Sequence, residues 1–73
     1  MVTVKQACDI AMAAFAKGPD KDVDVHINCV NEFENVFMVV TWPDIDHGWS
    51  PFIVDIVDKK REDMNIRIYQ MHD

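Results

Sequence analysis

Nucleophilic or acid–base chemistry needs a reactive side chain beside a base that can activate it. This chain offers few of either. Its hydroxyls are Thr3, Thr41, Ser50 and Tyr69, its thiols Cys8 and Cys29, and its imidazoles His26, His47 and His72. Cys8 with His26 is the pair worth weighing. Helical spacing places Cys8 on an apolar face, and strand alternation turns His26 away from the buried side. An activated thiolate needs an exposed, electropositive setting, which this is not. Two glycines in the whole chain leave no material for a glycine-rich phosphate loop. No catalytic residue and no enzymatic activity are expected.

Metal chemistry fares no better. Asp44, Asp46 and Gly48 begin like a calcium loop, but the glycine comes one position early and no helices flank it. Asp44, Asp46 and His47 are near neighbours in sequence and read as a solvated loop. Neither the cysteines nor the histidines show ligand spacing such as C-x-x-C. No metal and no cofactor are expected.

Binding chemistry is better represented. The stretch WPDIDHGWSP holds both tryptophans, Trp42 and Trp49, with Asp44 and Asp46 between them and a proline next to Trp42 and near Trp49. Tryptophan is enriched at binding hot spots, and proline stiffens the backbone that presents it. Glu32, Phe33 and Glu34 form a second acidic and aromatic cluster. Trp42, Asp44, Asp46 and Trp49, joined by Glu32, Phe33 and Glu34, are therefore the candidate partner-binding residues. In the competing reading the tryptophans close an open end of a small core.

Charge narrows the partner. Thirteen carboxylates against seven Lys and Arg give a net charge of −6. Direct nucleic-acid binding needs a basic face and is not expected. A protein partner with a basic surface is, although a modest negative charge also serves solubility. No apolar run approaches the ~20 residues of a membrane helix, and the N-terminus lacks the pattern of a signal peptide. A cytoplasmic location follows, with Cys8 and Cys29 as buried free thiols rather than a disulfide.

The elements that must position these residues are read from periodicity. Thr3 and Gln6 fit a capping box at the start of a helix. Val4, Ala7, Cys8, Ala11 and Phe15 follow on one face, and Gly18–Pro19 is the stop. Alanines at 11, 13, 14 and 16 would let this helix approach a sheet closely. Residues 23–30 alternate, with Val23, Val25, Ile27 and Cys29 on one face, and "NEFEN" is a polar turn. Residues 36–42 are apolar on both faces. Residues 52–58 put Phe52, Val54 and Ile56 opposite Asp55. The run "DKKRED" is a solvated turn, and residues 64–71 set Met64, Ile66 and Ile68 against Arg67 and Tyr69.

The expected fold is α+β: one N-terminal helix packed on a four-stranded antiparallel meander, residues 1–73 forming a single domain. One helix covers one face of a sheet. Val36, Met38, Val40 and Trp42 share one face, and Phe37, Val39 and Thr41 share the other. Whichever set the helix leaves uncovered is a candidate interaction surface, for a foreign partner or for a second copy in a homodimer.

The segment GWSPFIVD (Gly48 to Asp55), together with the opening MVTVKQACDIA, resembles the YrhB-like family of small bacterial proteins, which includes toxin-immunity proteins. The matching pattern is carried by Gly48, Ser50, Pro51, Phe52, Ile53, Val54 and Asp55. The loop before it is shorter than in that family, and "DKKREDMN" replaces the usual glycine-containing turn. The resemblance implies a helix on an antiparallel sheet and an immunity-type role, binding and neutralising a protein. The segments DVDVHINCVNEFENVFMVV and SPFIVDIVD are also similar to the strand region of phage uracil-DNA glycosylase inhibitors, acidic proteins that mimic DNA. That family's acidic strand between two helices has no counterpart here. This second resemblance implies a phage-type inhibitor of a nucleic-acid-processing or defence enzyme, of the anti-CRISPR kind, presenting carboxylates in place of phosphates.

Overall fold

The computed structural model describes residues 1–17, 24–44, 52–62 and 65–69. They form α1 (Val4–Ala16), β1 (Val25–Glu32), β2 (Val36–Pro43), β3 (Ile53–Asp58) and β4 (Asn65–Tyr69). The four strands make one antiparallel sheet in the order β1-β2-β3-β4, a meander, and α1 packs on one of its faces. This is the α+β arrangement that the periodicity predicts. The expected Gly18–Pro19 stop, and Val23, Met64 and His72, lie outside the described residues.

The capping box forms as expected. Thr3 Oγ1 accepts from the Gln6 backbone N–H at 3.2 Å, and Gln6 Oε1 accepts from the Thr3 N–H at 2.8 Å. Both groups would otherwise go unpaired within the helix. Val2, just before the cap, is buried and donates its N–H to the Lys59 carbonyl at 2.8 Å, tying the helix entry to the end of β3.

The core lies between α1 and the sheet. Ala7 and Ala11 are fully buried against Phe37, Val39 and Val57, with Val2 closing one side. Having no side chain beyond Cβ, the two alanines bring the helix close to the strands. The helical face is narrower than its apolar spacing suggests. Ala7, Ala11 and Phe15 are buried, whereas Val4 is 47% exposed and Cys8 only half-buried.

Register assigns the faces. In antiparallel pairs, directly opposed residues point to the same side. Phe37, Val39, Thr41 and Pro43 of β2 face the helix, opposite Val57, Asp55 and Ile53 of β3. Thr41 is tolerated there because its Oγ1 donates to the Ile53 carbonyl at 3.3 Å. The other set of β2, Val36, Met38, Val40 and Trp42, lies on the open face.

The expected alternation of β1 fails at one point. Ile27 opposes Thr41, but Cys29 opposes Val40, so Asn28 is an extra residue and the strand carries a β-bulge. Val25 and Ile27 face the helix side, while Cys29 crosses to the open face. Val30 then returns to pack against the core, and Glu32 follows on the helix side. Cys29 is thus exposed rather than buried, and the sheet separates it from Cys8. Both thiols are free.

The run after β3 also departs from a simple solvated turn. Lys60 N–H donates to Asp58 Oδ1 at 2.8 Å, as in an Asx turn. Lys59, however, is 7% exposed. Its Nζ reaches Glu32 Oε2 at 2.8 Å and sits 5.0 Å above the Phe37 ring. Its backbone N–H binds the Asn35 carbonyl, closing this end of the sheet.

Candidate functional site

The two faces of the sheet differ in kind, and the difference begins with β3 and β4. Asp55 opposes Arg67 on the helix side. The Asp55 carboxylate is fully buried and takes two hydrogen bonds from the guanidinium, Nε to Oδ1 at 2.9 Å and Nη2 to Oδ2 at 2.8 Å. Arg67 Nη2 also donates to the Ala11 carbonyl at 2.7 Å, and the guanidinium lies 5.3 Å above the Phe15 ring. A bidentate pair of this kind fixes geometry as well as charge. It clamps β3, β4 and α1 together, while Ile27 at the β1 edge of this side stays 40% exposed.

The open face carries the alternate residues of every strand. One row across it is Cys29, Val40, Val54 and Ile68, and a second is Asn31, Met38, Ile56 and Ile66. A third begins with His26 opposite Trp42. Trp42 stacks in a tilted arrangement on Phe52, ring centroids 5.0 Å apart, and remains 45% exposed. Ile66 is 65% exposed and Ile68 is 50% exposed. Single exposed apolar residues are ordinary on protein surfaces, but a contiguous patch marks an interaction site.

Charge is sorted between the faces too. Lys59 and Arg67 both lie on the helix side, paired with Glu32 and Asp55. No Lys or Arg of the described strands points to the open face, and Asp58 lies on it opposite Val36. At the Trp42 end the ladder continues beyond the strands, with the Asp44 N–H donating to the Asp24 carbonyl at 2.7 Å, and both aspartates are exposed. The open face is therefore apolar in the middle and acidic at the Trp42 end, while at the other end Asp58 lies beside the exposed Lys60 and Arg61.

The residues singled out from sequence fall in separate places. Trp42 belongs to β2 itself rather than to the loop after it, and Asp44 follows two residues on. Asp46 and Trp49, with His47, Gly48, Ser50 and Pro51, lie outside the described residues. Phe33 is 52% exposed and Glu34 is exposed in the β1–β2 turn. Glu32 is committed to Lys59. Six strand steps separate Val36 from Trp42, so the two clusters are about 20 Å apart at opposite ends of one hairpin. They do not form one site. The candidates missed from sequence are Val54, Ile56, Ile66 and Ile68, which join Val40 and Trp42 on the open face. Their signal was the period-two apolar pattern of β3 and β4, once the helix is known to take the other side.

The remaining features offer little chemistry. A shallow depression of about 180 Å³ is lined by Gln6, Asp9, Ile10 and Glu62. Asp9 is already paired with Lys5 at 3.0 Å along the helix. Among the described residues, no three His, Cys, Asp or Glu side chains are grouped to hold a metal ion, and no helix is long and apolar enough to cross a membrane. His26 lies on the open face and Cys8 on the helix, with the sheet between them.

No protein-family model, curated protein or solved structure matches this chain.

Proposed function

We propose that this chain is a small non-catalytic binding protein, an immunity-type inhibitor that neutralises a protein partner by docking it on the open face of its sheet. One observation carries this reading: an apolar sheet face, with Trp42, Ile66 and Ile68 exposed on it, opposite a face whose centre is packed under α1. Trp42 is the aromatic anchor at one end of the face, packed against Phe52. Asp24 and Asp44, exposed at the Trp42 end, steer a basic partner and set its orientation. Catalysis plays no part in this reading, in which affinity comes from apolar burial and specificity from the acidic rim.

The DNA-mimic alternative draws on the net charge of −6. It has less support, because Asp55, Glu32 and Asp9 are taken up in ion pairs within the chain. A row of phosphate-like carboxylates would need them outward and unpaired.

Capture from native lysate at low and high salt tests the proposal. The tagged protein is compared with a Trp42→Ala/Ile68→Thr variant shown by circular dichroism to be folded. A partner retained by the wild type in high salt and lost by the variant supports docking on the open face. Capture that is unchanged by the variant contradicts it. Capture that vanishes in moderate salt favours mimicry, which rests on many charge contacts.

A further inference from the structure

We infer that the occupant of the open face is an amphipathic cationic helix of the partner, apolar along one side and bordered by Lys or Arg. This inference rests on the binding reading above and deepens it by naming the chemistry of the partner segment.

Dimensions come first. Three interstrand spacings separate β1 from β4, so the face is about 14 Å across. A helix with its side chains is about 10–12 Å in diameter. One helix therefore fills such a face, as the 13-residue α1 does on the other side. A second helix would complete a three-layer arrangement with the sheet in the middle, a standard way to bury both faces. The residues of the face suit it. Val40, Val54 and Ile68 in one row and Met38, Ile56 and Ile66 in the next are unbranched or β-branched side chains, with nothing polar in these rows across β2, β3 and β4; Ile66 and Ile68 are exposed and the other four half-buried.

Charge then decides between a foreign helix and a second copy of this chain. Asp24 and Asp44, both exposed, mark one end of the face, and no Lys or Arg of the described strands answers them there; at the other end Asp58 accepts from the Lys60 N–H and lies beside the exposed Lys60 and Arg61. A face-to-face dimer would join two molecules that each carry a net charge of −6. Like charges brought together across an interface cost several kcal/mol and act against that pairing. A cationic border has the opposite effect: it meets Asp24 and Asp44 at their end of the face while its apolar side covers the aliphatic rows.

The test uses two synthetic helical peptides of about four turns, with leucines along one face. One has lysines on both flanks, the other glutamates at the same positions. Calorimetry against the full chain is expected to show the lysine peptide binding at least roughly tenfold tighter than the glutamate peptide. High salt should narrow that gap, and an Asp24→Lys/Asp44→Lys variant should shrink or reverse it. Both side chains are exposed, so this variant leaves the core intact; Ile66→Thr serves as an independent check, weakening both peptides alike. Equal affinity for the two peptides, no binding of the lysine peptide, or a dimer by sedimentation that blocks the face would overturn the inference. If lysate capture still depends on Trp42 and Ile68 while the lysine peptide fails, the helix inference falls and the binding reading stands. If both fail, the binding reading falls with it.

Discussion

The helix side and the open side of this sheet are built from the same four strands, and they solve opposite problems. On the helix side, small alanines let α1 sit close, and each buried polar group described there has a partner: Thr41 with a carbonyl, Asp55 with Arg67, Lys59 with Glu32. On the open side the strands present aliphatic residues and a stacked tryptophan, and among the described residues no element is laid over them. A charged pair has gone where packing could hold it in one geometry, and apolar surface has been left facing out. The contrast teaches that apolar content alone does not locate the core. The core is where polar groups are satisfied and small residues allow close approach.

That contrast can be broken most sharply at the clamp. Asp55→Ala leaves the Arg67 guanidinium facing a buried cavity, and the loss expected from breaking such a pair is about 3–5 kcal/mol. In a domain of this size that approaches total stability, so urea unfolding should show a largely unfolded variant. Replacing both partners, Asp55→Leu with Arg67→Met, should recover much of the loss, because apolar residues of similar volume avoid the desolvation cost. If the double variant is as unstable as the single, the pair is not the clamp described here.

A smaller effect is expected between helix and sheet. Ala11→Leu forces extra methylene groups into a contact with no room for them and should cost about 1–3 kcal/mol by denaturant melts. Thr3→Ala removes the cap and should cost about 1 kcal/mol. Smallest of all is the open side. Ile66→Thr keeps a β-branched residue in β4 and should change stability by no more than about 0.5 kcal/mol, while weakening partner binding. Equal destabilisation from Ala11→Leu and Ile66→Thr would mean that the two faces are equally built into the fold.

Much of this was legible in the residues. The helix, its cap and the four strands follow from periods of 3.6 and 2, because a face that must be buried enforces its own spacing. The two faces of β2 were also distinguishable. Which of them meets the helix was not, since Phe37, Val39 and Thr41 look no more core-like than Val36, Met38 and Val40. The answer lies in Asp55 and Arg67, whose partnership needs the β3–β4 register and the helix above it. The bulge at Asn28 gave no glycine or proline signal, yet it moves Cys29 to the open face and Glu32 to the helix side. That displacement is why Glu32, Phe33 and Glu34 do not act as one cluster. Phe33 and Glu34 stay exposed in the turn, while Glu32 is drawn to Lys59. Trp42 was legible as the end of the 36–42 run, but the strand continues one residue further, and Pro43 is its buried end.

The central claim is that the open face, and not the helix side, is where this protein meets its partner. Isoleucine methyl groups report on the two faces separately: Ile56, Ile66 and Ile68 lie on the open side, and Ile10 and Ile53 lie on the buried side. The decisive measurement is the methyl spectrum of isotopically labelled protein in buffer and again in native lysate. Selective shift or broadening of Ile56, Ile66 and Ile68, with Ile10 and Ile53 unchanged, is the result expected. Uniform change across all five, or change confined to Ile10 and Ile53, would contradict the claim.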